Sequence, residues 1–375
     1  MCIRDRYFYD CGGEINLDKI PREKLGMTEY SFTRGARILA PKYEEIGLLP
    51  LETGLGTVEV DGHRIEVGAR IFPIGVIGIY FTLTLDGADV DQTIRLVGLD
   101  ERKVRVNGKE IEFGDLARSY FEDLKKRIKG AIYFPYKEFR RPETYTLVLV
   151  TSSEPKLSTR DFFGKFRKQI AGLLRGEIDW RSLSRKEVED ALRVFLTYSD
   201  KDIIFVDWYS TLIYGGEDYM SDFVRMIELA KIQLLELKTF DHLLDLRVDR
   251  AYDFLRTAFA GRIGVGLRSR SYRELVRTAS ELAELRVEVM DYVGDLRNIL
   301  KFTGEWYLGK IYRVASERFR ISDWLALVDK KLDQLQELYA MAMERVDAQH
   351  AKTLEFLMTL LMIAIVVLEV IMVLE

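Results

Sequence analysis

The end of the chain constrains the fold most, because an apolar run there is about as long as a bilayer is thick. Residues 356–374 read FLMTLLMIAIVVLEVIMVL, in which Thr359 and Glu369 are the polar positions. As a helix of about 1.5 Å per residue the run would be roughly 28 Å long, close to the ~30 Å hydrocarbon core of a membrane. We therefore predict one transmembrane helix within residues 353–375, with the anchor residues Phe356, Leu361, Ile365 and Glu369.

A buried core helix or a hydrophobic oligomerisation tail would explain the same run. Glu369 favours these alternatives, because a carboxylate inside a bilayer costs about 2.5–3.5 kcal/mol on insertion scales. The residues before the run suggest an orientation, since Arg345, His350 and Lys352 precede it and cationic flanks stay on the cytosolic side. The sequence thus predicts a tail-anchored, single-pass protein with the membrane as a partner and the bulk of the chain on the cytosolic or matrix-like side.

The composition indicates a folded protein without a disulfide framework. Hydrophobic residues make up 48% and charged residues 31% of the 375 residues, with 7 Pro, which is enough apolar material for two or three domains. The chain contains 2 Cys and 3 well-separated His, so no zinc spacing is present and we expect no cofactor. The net charge of −4 argues against nucleic-acid binding over the whole surface.

The first part of the chain predicts an α+β head of mostly antiparallel strands over residues 7–155. Asp61-Gly62 and Asn107-Gly108 each separate two short strand-like runs, and both dipeptides suit the positive φ of a hairpin turn. Residues 156–216 add helices and one strand to this head. The first six residues, MCIRDR, look like translated adapter sequence and lack a signal-peptide core, so the head is expected to start at residue 7.

Residues 217–352 predict a stalk of long helices that leads into the apolar run. Large apolar residues recur there at alternating spacings of three and four, which is typical of coiled coils. The last stripe is the predicted oligomerisation seam, made of Leu325, Val328, Leu332, Leu335 and Tyr339. The spacing leaves open whether two stalk helices pair within one chain as a hairpin or between the chains of a homo-oligomer.

The helical half resembles the Rmd sporulation-type family, a domain of unknown function named for proteins required for meiotic nuclear division. The resemblance covers residues 65–375 and rests on several short motifs. They are the strand-like run IFPIGVIGIYFTL, Glu284-Leu285-Arg286, Trp306 with Leu308 and Tyr312, Val328 to Leu332, Leu354-Glu355-Phe356 before the apolar run and Glu369-Val370 at its end. The sequence departs from the family pattern at Asp329, where Asn is usual, and at Phe356, which replaces Trp. The resemblance implies a single-pass membrane protein without established catalytic activity, and it supplies no active-site residues.

Two clusters of basic residues are the best candidates for binding an anion. The first is the arginine run Arg262, Arg268, Arg270 and Arg273, followed by Arg277. The second is the basic stretch Lys125, Lys126, Arg127, Lys129, Lys137, Arg140 and Arg141. Either would suit the phosphates of an anionic lipid or of RNA. The alternative is a solvated helix face whose charges pair with acidic residues one turn away.

Acidic residues also cluster around the strand predicted at residues 203–213. They are Asp202, Asp207, Glu217 and Asp218. Paired carboxylates can bind a metal ion or act as acid and base. Because no His or Cys lies beside them, we interpret them as the solvated ends of a strand and a helix.

Two functions remain compatible with the sequence. We favour a membrane-anchored, non-enzymatic scaffold that oligomerises through its stalk and presents the head to an unknown protein partner. The alternative is a membrane-tethered enzyme or ligand sensor that uses the head, which would require a polar, carboxylate-lined pocket. A channel related to two-span magnesium transporters is disfavoured, because a second span and the Gly-Met-Asn motif of such proteins are missing from the sequence.

Overall fold

A computed structural model of the chain divides it into two compact units. Unit 1 comprises Met1–Thr239 with Asp295–Asp323, and unit 2 comprises Phe240–Gly294 with Trp324–Glu375. The structure describes residues 1–29, 50–87, 89–97, 102–106, 108–135, 141–151, 157–215, 220–259, 277, 286, 287, 289 and 306–374.

The strands are β1 (Cys2–Asp10), β2 (Gly12–Ile15), β3 (Thr28–Glu29), β4 (Leu51–Val60), β5 (His63–Ile71), β6 (Val76–Thr84), β7 (Lys103–Val106), β8 (Lys109–Glu112), β9 (Ile132–Pro135), β10 (Glu143–Val150), β11 (Phe195–Leu196), β12 (Ile203–Val206) and β13 (Ser210–Tyr214). The helices are α1 (Arg22–Leu25), α2 (Val90–Arg95), α3 (Phe113–Arg127), α4 (Thr159–Arg175), α5 (Arg185–Ala191), α6 (Met220–Phe259), α7 (Trp306–Arg318) and α8 (Ile321–Leu374).

Unit 1 is built on one large sheet of 11 strands, in the order β11-β12-β13-β10-β1-β6-β5-β4-β7-β8, with β3 beside β4. Neighbouring strands pair antiparallel except β10 and β13, which are parallel. The predicted α+β class with an antiparallel sheet and C-terminal helices is therefore confirmed. The strand β1 begins at Cys2 and pairs with both β6 and β10, so the head starts earlier than residue 7.

The two faces of the sheet carry different helices, because successive residues of a strand point to opposite sides. On β1, Tyr7 and Tyr9 belong to the larger hydrophobic core, which also contains buried residues of α3 and α4. Phe8 points to the other side and packs with Tyr80 of β6 and with Ile232 and Leu235 of α6. Unit 1 is thus a sheet between two helical layers, and two of the three polar clusters described below lie where α6 covers it.

Unit 2 contains the second part of α6 and nearly all of α8. Lys331 of α8 contacts Asp241 of α6 at 2.6 Å and Asp245 at 2.5 Å, so the two helices lie side by side there. Val328, Leu332, Leu335 and Tyr339 of the predicted seam are buried and Leu325 is half-buried, all within a single chain.

The membrane anchor predicted from residues 356–374 is wrong. In the parts of the chain that the structure describes, no helix has the length and apolar character needed to cross a membrane. The run is the end of the 54-residue helix α8, whose polar positions there include Glu355, Thr359 and Glu369. Phe356, Leu361 and Ile365 are exposed on this helix. The predicted single-pass membrane location is wrong for the same reason.

Candidate functional site

A buried lysine in unit 1 is enclosed by aromatic rings and paired with a carboxylate. We call this group the lysine box, and it consists of Lys231, Lys238, Glu143, Tyr145, Trp208 and Phe319. Lys231 of α6 is 1% exposed, and its Nζ lies 2.9 Å from Oε1 of Glu143 on β10. The same Nζ lies 4.7 Å from the ring centroid of Tyr145, 5.4 Å from that of Trp208 and 4.5 Å from that of Phe319. Rings at these distances stabilise a cation through their quadrupoles.

The charges of the lysine box are strongly coupled. Burial lowers the pKa of Lys231, and the attraction of Glu143 only partly restores it. Burial also raises the pKa of Glu143, but Lys231 and Lys238 outweigh it and leave that pKa below its ordinary value. Nζ of Lys238 lies 2.6 Å from Oε2 of Glu143, so one carboxylate binds two ammonium groups that are about two turns apart on α6. The box therefore ties α6 to the sheet.

A second cluster, the aspartate clamp, adjoins the lysine box and consists of Asp207, Asp190, Glu187, Arg175 and Arg318. Asp207 follows β12 and is fully buried. Its carboxylate accepts from Nη1 of Arg175 at 3.0 Å and from Nε of Arg318 at 2.9 Å. Arg175 ends α4 and Arg318 ends α7, so one buried carboxylate joins two helices to the hairpin of β12 and β13.

The clamp and the box share a backbone segment. The amide of Trp208 donates to Oδ1 of Asp207 at 2.7 Å, and the hydroxyl of Tyr145 donates to the carbonyl of Asp207 at 2.9 Å. Asp190 of α5 completes the clamp. Burial raises the pKa of Asp190, but the hydrogen bond from Arg175 and the charges of Arg193 and Arg318 lower that pKa below its ordinary value. The two clusters thus form one continuous polar layer inside unit 1.

A third cluster, the arginine pair, lies about one turn before Lys231 on α6. Arg6 of β1 and Arg70 of β5 both contact Glu228 of α6, with Nη1 of Arg70 2.6 Å from Oε2 of Glu228. Tyr80 is shared by the two guanidinium groups, whose carbons lie 4.6 Å and 5.0 Å from its ring centroid. Burial, together with the charge of Arg70, lowers the pKa of Arg6 to about 9. Glu228 therefore compensates two buried cations at once.

None of these three clusters was predicted from the sequence, although a signal was present. Glu228, Lys231 and Lys238 are spaced by three and seven residues in α6, so they recur on one side of that helix. Residues 226–235 are apolar apart from Glu228, Lys231 and Gln233, and a helical stretch that is apolar on most sides is expected to be buried together with its charges. Their partners come from distant strands, and only the fold brings them together.

The predicted acidic cluster is only partly covered by the structure. Asp202 and Asp207 are buried rather than solvated, which corrects the interpretation of them as exposed ends. Asp202 accepts from the amides of Tyr198 at 2.7 Å and Ser199 at 3.0 Å, so it caps a turn. Glu217 and Asp218 lie outside the described residues. Across the described ranges, no group of three or more His, Cys, Asp or Glu residues is arranged to hold a metal ion.

The structure also describes only some of the predicted anion-binding residues. Arg262, Arg268, Arg270 and Arg273 lie outside the described residues. In the second cluster, Lys126 and Lys129 are exposed at the end of α3, while Arg127 pairs with Asp123 at 2.7 Å. Nζ of Lys125 lies 5.4 Å from the ring centroid of Phe121. The structure therefore gives part of this cluster partners within its own helix.

Two cavities of unit 1 lie at the hairpin of β7 and β8, away from the buried clusters. Their volumes are about 500 Å³ and about 620 Å³. Both are lined by Lys103 and Glu110, with the remaining lining residues coming from β4, α3 and the neighbouring turns. No residue of the lysine box or the aspartate clamp contributes to either cavity.

Comparison with known proteins places the chain in a different family from the one suggested by its helices. Residues 4–221 match the family described as "Uncharacterized protein MJ0711, N-terminal domain". "Uncharacterized protein MJ0711" of Methanocaldococcus jannaschii is 25% identical over 263 residues, which are 70% of this chain and 74% of that protein. No solved structure matches.

These matches overturn the resemblance to the Rmd sporulation-type family. Most of the motifs that carried it lie in leucine-rich helices next to an apolar run, and unrelated helices share such spacing because burial requires it. The family match instead covers the strands and helices of the head and more than half of the 375 residues. The chain therefore belongs to the family of the MJ0711 N-terminal domain.

Proposed function

We propose that this protein is a non-enzymatic scaffold that self-associates through its helical part and presents its α+β head to a protein partner. The observation that supports the proposal best is that charged residues of all three clusters are buried and pair with one another. Lys231 is 1%, Asp207 0% and Arg6 2% exposed, and each contacts an oppositely charged side chain of unit 1. The charged groups are thus used to hold helices on the sheet.

Catalysis and ligand binding place different demands on such groups. A catalytic acid, base or nucleophile has to reach a substrate, and ligand sites are cavities with a few polar groups directed into them. In the lysine box, three rings and one carboxylate surround the ammonium group. Buried pairs of this kind give little net stability but are strongly destabilising when one member is lost, which suits the role of a structural lock.

The alternative function, an enzyme or ligand sensor in the head, is favoured by two observations. The first is that carboxylates line both cavities at the hairpin of β7 and β8, among them Glu59, Asp61 and Glu110 in the larger one. The second concerns the buried lysine. The pKa of Lys231 is lowered by burial, and lysines with a lowered pKa serve as bases and nucleophiles in enzymes. Such a role would require the lysine box to open to a substrate. Contact of the arginine run with RNA or lipid phosphates stays a prediction, because its residues lie outside the described ranges.

Thermal unfolding of the full chain with a panel of small ligands separates the two functions. The panel contains inorganic phosphate, nucleotides, amino acids, sugars and divalent cations, and it is applied to the wild type and to Lys231→Met. A ligand at about 100 times its Kd stabilises a protein by roughly 2.7 kcal/mol, which raises the Tm by several degrees. We expect no such shift. A ligand that raises the Tm of the wild type but not that of Lys231→Met would contradict the scaffold proposal and support the ligand-binding function.

A further inference from the structure

We propose that the end of α8 is the self-association surface of this protein, and that more than two copies of the chain bundle through residues 354–371. This inference rests on the proposed scaffold function. It names the surface through which copies of the chain associate in that function. It differs from the predicted seam at residues 325–339, whose described members are buried or half-buried within one chain.

The surface is a continuous stretch of exposed apolar side chains. Thirteen large hydrophobic residues between positions 354 and 371 are 48% to 68% exposed. They are Leu354, Phe356, Leu357, Met358, Leu360, Leu361, Met362, Ile363, Ile365, Val366, Val367, Leu368 and Ile371. Contiguous apolar patches of this kind on a protein mark interaction sites.

The exposed residues cover the whole circumference of the helix. Leu360, Leu361, Met362 and Ile363 are consecutive and all exposed, and successive residues of a helix are about 100° apart. A groove on a different protein would cover one side of such a helix and leave the other in water. A helix that is hydrophobic all round is stable when it is surrounded, which a bundle of several helices achieves better than a pair does.

The size of the surface fits a stable protein interface. A fully exposed aliphatic side chain offers roughly 60 to 120 Å² of apolar area, so the 13 residues at about half exposure offer on the order of 600 Å² per chain. A standard interface uses about 800 Å² of each partner. The apolar area of this one segment is therefore comparable to one side of a specific complex.

The charges of the segment favour a second copy over an anionic partner. Residues 353–374 contain Glu355 and Glu369 but no Lys or Arg, so the segment has no cation with which to recruit phosphates. A further copy offers an apolar surface of the same length, about 27 Å for 18 residues. The same helix already packs against its own chain through the stripe around Leu335, which holds its first half in place while the second half remains exposed.

Light scattering after size exclusion tests the proposal on the full chain at a low and a high protein concentration. Leu361→Lys with Ile365→Lys places charge on one side of the helix, and Ile363→Lys with Val367→Lys places it on the opposite side. Leu327→Lys is the matched control, because Leu327 is a 40% exposed leucine of the same helix outside the segment. We expect the wild type and the control to have at least three times the monomer mass, and both double variants to fall to the monomer mass with unchanged thermal unfolding of the head.

The result that contradicts the scaffold function differs from the results that contradict this proposal. A wild type that is monomeric at both concentrations overturns it, and so does a monomeric chain that floats with uncharged phospholipid vesicles. If only one double variant loses mass, the association uses one face and the surrounded bundle is wrong. Oligomers that survive both double variants exclude this segment but leave the scaffold function intact, whereas a ligand-dependent Tm shift removes the scaffold function and leaves the bundle intact.

Discussion

Lys231 and Glu143 form an ion pair inside unit 1, with 2.9 Å between Nζ and Oε1. Lys231 lies on α6 and Glu143 at the start of β10, 88 positions apart in sequence. The aromatic rings of Tyr145, Trp208 and Phe319 cover the ammonium group. Because the lysine is buried, Glu143 provides the main compensating charge, and Asp207 adds to it. This pair fixes the position of α6 on the sheet.

Replacement of the Glu143 carboxylate tests how much this ion pair contributes to the free energy of unfolding. We expect Glu143→Gln to lower the free energy of unfolding by about 3–5 kcal/mol, because it leaves a buried ammonium group without its partner. Urea unfolding of both proteins measures the difference. Glu110→Gln, at an exposed position of β8, is the matched control and should change the free energy by less than about 0.5 kcal/mol. A loss below about 1 kcal/mol for Glu143→Gln would show that the pair contributes little.

The same pair predicts a specific loss of stability in acid. The pKa of Glu143 in the folded protein lies below its ordinary value of 4.5, so the folded state binds the proton more weakly than the unfolded state. The contribution to stability is fully present above pH 4.5 and is lost as the pH falls through the lower, folded pKa. The difference in unfolding free energy between the wild type and Glu143→Gln should therefore shrink below that pH. Urea unfolding at a series of pH values measures it, and a difference that is constant with pH would contradict the assigned shift.

The aspartate clamp predicts unequal effects for its two aspartates. Asp207 is fully buried between Arg175 and Arg318, whereas the side chain of Asp190 is 39% exposed. We expect Asp207→Asn to cost about 3 kcal/mol or more, as for a broken buried pair, and Asp190→Asn about 1 kcal/mol or less. Thermal unfolding ranks the two variants. Equal losses would mean that the buried carboxylate is not the centre of the clamp.

The backbone at Gly75 lies close to the backbone at Gly12, so glycine is expected to be required at position 75. Gly75 has φ +89°, and a Cβ atom there would lie 1.8 Å from the carbonyl oxygen of Gly12. We expect Gly75→Ala to destabilise unit 1 by at least about 3 kcal/mol, because backbone strain alone costs about 1–3 kcal/mol and the clash adds to it. Gly130→Ala is the control, since no atom lies within 4 Å of its added Cβ. Similar Tm values for the two variants would contradict the close approach of Gly75 to Gly12.

The stripe on α8 predicts a loss of stability that does not depend on protein concentration. Leu335 is fully buried and Leu327 is 40% exposed. Leu335→Ala should therefore cost about 2–5 kcal/mol, and Leu327→Ala about 0.5 kcal/mol or less. The test is made in the Leu361→Lys with Ile365→Lys background, which removes the proposed association through residues 354–371. If the stripe packs within one chain, the urea midpoint of Leu335→Ala in that background is the same at low and high protein concentration. A midpoint that rises with concentration would indicate that the stripe joins two chains.

Local chemistry made several elements predictable. The turn between β4 and β5 contains Asp61 with φ 48° and Gly62 with φ 80°, as expected from the sequence of the hairpin. Ser184 accepts from the amide of Glu187 at 3.2 Å, so a serine three residues before a glutamate, a pattern typical of a helix start, caps α5. These features depend on residues within a few positions of one another, so the sequence alone contains the forces that determine them.

The sequence by itself thus determined the antiparallel hairpins, the helix starts and the apolar stripes of this protein. Only the tertiary structure decided which charges are buried together, because Arg6, Glu143 and Asp207 meet their partners across long separations in sequence. It also placed Cys2–Asp10 at the centre of the sheet. The apolar run ending at Leu374 shows the limit most clearly, since the same residues suit a membrane span, a core helix or an interface between copies, and periodicity alone cannot distinguish the surroundings that a helix meets.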